Sequence, residues 1–259
     1  MNENVKYGAA AVAVVGLSVG AVLYFGRDKQ APKPVEPAVT LPVPEPAPAE
    51  PAIKHPVPTS DSQEAMPSLD TSGPAFQSAL SELIGKESVQ KFIITDDLIR
   101  HVVVTVDNLT EPKVAQRLRP VQPAPGAFAA TGTDEEWTLD SANFERYRPM
   151  VQVIRNLDTP QLVTIYSRYY PLFQEAYESL GHPPQHFNDR LIEVIDVLLA
   201  TPEVQLPIAL AQPGVLYEFA DPKLETLPAG QKVLIRMGVD NANAVKAKLR
   251  ELRAALVAR

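Results

Sequence analysis

Apolar and polar positions divide the 259-residue chain into three unequal stretches. From Tyr7 to Phe25 no side chain is charged, and Gly, Ala, Val, Leu and Ser fill the run between aromatic ends. At 1.5 Å rise per residue this makes a helix roughly 28 Å long, about one hydrocarbon core. Tyr7, Tyr24 and Phe25 stand where amphipathic rings favour the headgroup level. The pattern predicts a transmembrane helix within a membrane anchor over residues 1–29. A cleaved signal peptide is the rival reading, since Val19-Gly20-Ala21 resembles a small-residue cleavage site. Lys6 is the one basic side chain before the run, and the run continues to Phe25, which favours an uncleaved anchor.

The second stretch, residues 30–74, has no apolar period and holds twelve of the 26 prolines. Each fixes φ near −65° and lacks an N–H, so neither a helix nor a central strand can form. A disordered Pro-rich spacer is expected, partly polyproline II, reaching on the order of 130 Å when extended. A ligand for aromatic-grooved domains is the sharper alternative.

Beyond residue 74 apolar residues recur at helical spacing. Phe76 to Ile84 reads as a helix stopped by Gly85. Asn143 is placed to cap a helix running through Asn156. Thr159 as N-cap and Pro160 as first residue predict a helix to Gly181, kinked at Pro171. Phe187 to Thr201 follows, and Asp240 or Asn241 opens a final helix. Phe92-Ile93-Ile94 and Val102–Val106 suit strands by β-branching, yet Leu98, Ile99, Val102, Val103 and Val106 share one helical face behind Thr95-Asp96-Asp97; helix is the preferred reading. Short β-hairpins are expected within 126–139 and 206–219. The fold class is therefore mainly α, with one helical globular domain over residues 75–259.

Charge and composition narrow the function. A net charge of −7 disfavours general nucleic-acid binding. The absence of cysteine removes disulfides, thiol nucleophiles and thiolate metal sites. Around the span, Lys6 stands before and Arg27, Lys29 and Lys33 after it. A literal positive-inside count puts the domain in the cytoplasm. The spacer, of the kind that crosses an envelope, favours the opposite side, and an outside domain is preferred.

Phosphate-loop, dinucleotide-fingerprint, nucleophile-elbow and zincin motifs do not occur. His182 and His186 flank a helix-to-helix turn rather than one helix face, so no metal site is assigned and no cofactor is implied. Asp189, Glu193 and Asp196 share one face of an otherwise apolar helix. They form a candidate polar stripe, read as pairing with arginines such as Arg146, Arg148 or Arg168, with acid–base work as the alternative. Tyr166, Tyr169, Tyr170, Phe173 and Tyr177 form one stripe on the preceding helix. Such a stripe is more often core than groove. If exposed, Tyr166, Arg168, Tyr169, Tyr170 and Tyr177 make a candidate binding surface for a glycan or extended peptide. In the last helix Val245, Leu249, Leu252 and Leu256 make a narrow seam ringed by Lys246, Lys248, Arg250 and Arg253. Complementing the helix dipole is its simplest role, and a partner helix or an anionic surface the alternative.

Val106-Asp107-Asn108-Leu109, Arg146-Tyr147, the segment from Tyr170 to Tyr177, Phe187 to Leu191, Leu198 to Glu203 and Gly230-Gln231-Lys232 together resemble an uncharacterised domain-of-unknown-function family of Gram-negative bacteria. Its members typically carry an N-terminal span and a Pro-rich spacer. The resemblance implies an inner-membrane anchor and an envelope location; it implies no activity, ligand or catalytic residue. The expected protein is single-pass in the inner membrane and presents a non-enzymatic periplasmic domain to an envelope protein or glycan. An enzyme acting on cell-wall or lipid-linked substrates, and a purely structural spacer, are the alternatives. Convergent ionisable groups in a cleft would favour the enzyme, and the absence of any pocket or apolar patch the spacer.

Overall fold

The computed structural model describes residues 52–57, 66–133, 136–182 and 184–257. The expected anchor, Tyr7–Phe25, and most of the expected spacer lie outside them. Among the described residues no helix is long and apolar enough to cross a membrane.

The described residues form nine α-helices and a four-stranded antiparallel sheet. A 3-10 turn, Leu69–Thr71, leads into α1 (Gly73–Ile84) and α2 (Lys86–Phe92). The boundary expected after residue 74 therefore falls inside a helix, and Leu69 is already buried. Pro74 sits in the first turn of α1, where its missing N–H has no partner to lose, and Gly85 ends the helix at φ +82°.

The ambiguous β-branched stretches divide. Ile93 and Ile94 are extended, and Ile93 bridges Val121, so helix is the wrong reading there. Leu98, Ile99, Val102, Val103 and Val106 are the buried face of α3 (Leu98–Asn108), as the spacing predicts.

β1 (Ala130–Thr133) and β2 (Glu136–Leu139) form a hairpin, and β3 (Ala209–Ala211) and β4 (Glu218–Phe219) complete the order β1-β2-β3-β4. Leu210 faces Trp137 on one side and Phe219 on the other. Leu139, Leu210, Phe219, Ile208 and Ile235 make a small second core beneath this sheet.

The main core is built mostly from helices. α4 (Ala142–Arg155), α5 (Thr159–Glu178) and α6 (Phe187–Leu199) follow the expected ranges within a few residues. Their caps differ. Asn143 is inside α4, and its carboxamide holds Ala129 and Asp140 instead. Asp158, not Thr159, caps α5 by accepting from Gln161 N at 2.8 Å. Pro171 lies on the exposed side of α5, and the helix continues through it.

A four-residue helix α7 (Pro222–Glu225) precedes α8 (Ala229–Arg236), which the pattern does not predict. α9 (Val239–Val257) starts directly after Gly238, at φ +84°. Its seam residues Val245, Leu249, Leu252 and Leu256 are core, so the seam is no docking face. Lys246 donates to Thr201 O at 2.5 Å and Lys248 to Leu157 O at 2.8 Å. These ammonium groups satisfy buried carbonyls rather than an outside anion.

Candidate functional site

The tyrosine stripe of α5 lies inside the domain. Tyr166, Tyr169, Phe173 and Tyr177 are each at most 2 % exposed, so the stripe does not form an open aromatic surface. Phe173 stacks on Phe187 at 5.7 Å and 10°, and meets Phe76 edge-on at 5.7 Å. Phe76 also meets Tyr169 at 5.0 Å. Tyr170 is half-buried, as is Arg168, whose guanidinium lies 5.7 Å from the Tyr169 ring. This is the direct packing of α5 on α6 that two largely apolar helices require.

Burial forces each tyrosine hydroxyl to find a partner, and the partners build a polar patch at the start of α6. Tyr166 donates to Asn188 Oδ1 at 3.0 Å, Tyr170 to Gln174 Oε1 at 3.0 Å, and Tyr177 to Gln185 Oε1 at 3.2 Å. Gln174 Oε1 also accepts from Phe187 N, which ties the first turn of α6 to α5. Burial pushes the Tyr170 hydroxyl up to about 12 and Tyr166 well above its ordinary value. Both therefore remain donors at neutral pH.

The Tyr166 bond fixes the orientation of Asn188. With Oδ1 taken, Nδ2 points outward and donates to His55 O at 2.8 Å. The Asp189 carboxylate beside it accepts from His55 N at 2.8 Å and Lys54 N at 3.1 Å. Residues 52–57, assigned by composition to the spacer, are thus held on the domain through their main chain. Val57 packs against the apolar core.

Next to this clamp, Arg190 joins α6 to the end of α3. It donates to Asp107 Oδ1 at 2.9 Å, Asp107 O at 2.6 Å and Thr110 Oγ1 at 2.7 Å, and pairs with Glu193 at 3.0 Å. Desolvation opposes its charge, but Glu193 and Asp107 outweigh that and hold its pKa above the ordinary value. His182 stacks on Tyr177 at 4.7 Å and lies 3.4 Å from Asp107 Oδ2.

The three carboxylates of the polar stripe therefore part company. Asp189 holds main-chain N–H groups, Glu193 pairs with Arg190, and Asp196 pairs with Arg253 at 2.5 and 2.9 Å. Of the arginines named from the sequence, Arg146 donates to Pro125 O and Gly126 O, and Arg148 pairs with Glu145. Helical spacing placed the carboxylates on one face, but the partners come from α6 itself, α9 and the 52–57 segment. Among the described residues no three His, Asp or Glu side chains are grouped as a metal site.

Asp107, Asn188 and the 52–57 segment were not singled out by sequence reasoning. Asn188-Asp189 following Phe187 at a helix start was the available signal: short polar side chains there commonly bond main chain. Three of the segments that carry the family resemblance meet near this patch: Asp107 accepts from Arg190, Gln174 accepts from Phe187 N, and Asn188 donates to His55 O. No curated protein and no solved structure matches the chain. A family model described as "Protein of unknown function (DUF3014)" matches residues 98–253, from the first residue of α3 to the last turns of α9, and the chain belongs to that family.

Proposed function

We propose that the protein is a single-pass inner-membrane protein whose non-enzymatic domain stands in the periplasm and binds another envelope component. The uncharged run Tyr7–Phe25 and the Pro-rich stretch after it support the anchor and tether. One observation carries the binding role. The carboxamide of Asn188 and carboxylate of Asp189 hold two N–H groups and one carbonyl of a segment that bends at Lys54 and His55. This chemistry reads peptide main chain, so an envelope protein presenting a peptide segment is the favoured partner over a glycan. The neighbouring ionisable groups are spent on one another as Asp107–Arg190–Glu193, which favours a recognition surface over acid–base chemistry.

The test captures cross-linked partners of the tagged full-length chain from membranes, wild type against Asp189→Ala. A partner held by the wild type and lost from a variant that still unfolds cooperatively supports the role. The same partners recovered equally with both would remove the clamp from it. A reporter active only outside the cytoplasm, fused after Arg259, checks the topology; a stable but inactive fusion overturns the periplasmic placement.

A further inference from the structure

The docked segment has a second copy in the chain. Pro51-Ala52-Ile53-Lys54-His55-Pro56-Val57-Pro58 is preceded, fourteen residues earlier, by Pro37-Ala38-Val39-Thr40-Leu41-Pro42-Val43-Pro44. Five of the eight positions are identical and a sixth exchanges Val for Ile. The two remaining positions, Lys54 and His55 against Thr40 and Leu41, are those at which the bonds from Asn188 and Asp189 engage main-chain atoms alone. Lys54 is exposed, so its side chain is free to differ. Val57, which packs against the core, is matched by Val43.

The bonding pattern also explains the placing of the prolines. Asp189 needs an N–H from each of two successive residues, so neither can be proline. The next position donates nothing in these bonds, and proline there costs none of them. In residues 31–58 prolines otherwise interrupt the chain at every second or third position. Only 38–41 and 52–55 give four residues without one.

We propose that the Asn188–Asp189 clamp is a binding site for the octapeptide pattern Pro-Ala-(Val/Ile)-X-X-Pro-Val-Pro, and that the two copies in this chain are interchangeable ligands for it. Residues 52–57 of the second copy occupy the site in this structure. The first takes it when the second is displaced, and the two exclude each other. The link to function rests on the envelope-binding reading above: a partner peptide of the same order competes with both copies. The exchange between the copies does not depend on that reading.

Hydrogen exchange read by mass spectrometry on the full-length protein in detergent tests this without any partner, so its failure is distinguishable from failure of the partner reading. In the wild type, the amides of Lys54 and His55 exchange at least ~10-fold more slowly than in Asp189→Ala, and those of residues 38–41 exchange at the unprotected rate. In His55→Pro, which removes one donor, protection leaves 52–57 and appears at 38–41. Adding Asp189→Ala to His55→Pro abolishes it there too. The proposal is overturned if Asp189→Ala leaves 52–57 protected, or if His55→Pro leaves 38–41 unprotected. Protection of 38–41 that grows with protein concentration would place that copy on a neighbouring chain and also overturn it.

Discussion

Replacing Phe173 with alanine removes the ring on which three elements meet. Phe173 is fully buried, stacked on Phe187 of α6, edge-on to Phe76 of α1 and 5.7 Å from Tyr166 of its own helix. Truncating such a ring costs ~3–5 kcal/mol, the lost transfer term plus the cavity left behind. The cavity cannot close cheaply, because Phe76, Tyr166 and Phe187 are themselves almost fully buried. Domains of this kind have ~5–15 kcal/mol of stability in all, so a large share goes. At about 2–4 °C per kcal/mol for this size, the melting temperature falls by roughly 6–20 °C. Thermal unfolding of the full-length protein by circular dichroism measures it. Phe173→Leu, which keeps much of the volume, should cost less than half as much. If Phe173→Ala melts within experimental error of the wild type, the ring is not a core element. If it also loses a captured partner, the stripe is a contact surface after all.

Three other perturbations test separate joints. Gly230→Ala places a Cβ 2.5 Å from Leu198 Cδ2 and 3.2 Å from Leu109 O. Despite the better helix propensity of alanine, it should destabilise by about 1–3 kcal/mol in denaturant titration; a rise in the midpoint contradicts the close approach of α8 to α6. Arg190→Met leaves the Asp107 carboxylate, itself only 21 % exposed, without its cation, and should cost about 2–4 kcal/mol, with Arg190→Lys unable to rebuild the three-acceptor geometry. Equal stability of Arg190→Lys and wild type would refute that. For alkaline pH, burial holds Tyr147 and Tyr170 up at about 12. The folded form then keeps protons the unfolded chain loses, so this stability is complete below about pH 10 and falls as pH rises through 12. Tyrosinate absorbance should lag behind free tyrosine and rise with unfolding; ionisation near pH 10 in an intact fold would contradict the burial.

Local pattern carried most of the helical fold. α1, α3, α5 and α6 each have one apolar stripe and a Gly, Pro or short polar residue near an end, and those signals depend only on neighbours in sequence. α8 was not legible, because its eight residues are too few to establish a period and Gly, Gln and Lys fall inside it. Gly230, Gln231 and Lys232 read as polar punctuation until Gln231 is seen donating to Val197 O and Lys232 to Glu225 O. The site was half legible. Asp189 was named for its place on a helix face, yet its role is set by main-chain groups 134 and 135 residues away. Composition hid the other half: proline content marks residues 30–74 as one spacer, whereas the bonds depend on where proline is missing.

Held at Lys54 and His55, the domain in the proposed anchored arrangement has a leash of definite length. Phe25 and His55 can stand at most ~90 Å apart along a polyproline helix, and Phe25 and Leu41 at most ~50 Å. Exchange of one octapeptide for the other would move the domain between two heights above the bilayer, about 43 Å apart at full extension. Tension on the tether would be borne first by the bonds at Asp189 and Asn188 rather than by the helical core. In that proposed arrangement the clamp would act as a mechanical fuse as well as a recognition site, letting the leash lengthen before any helix is pulled.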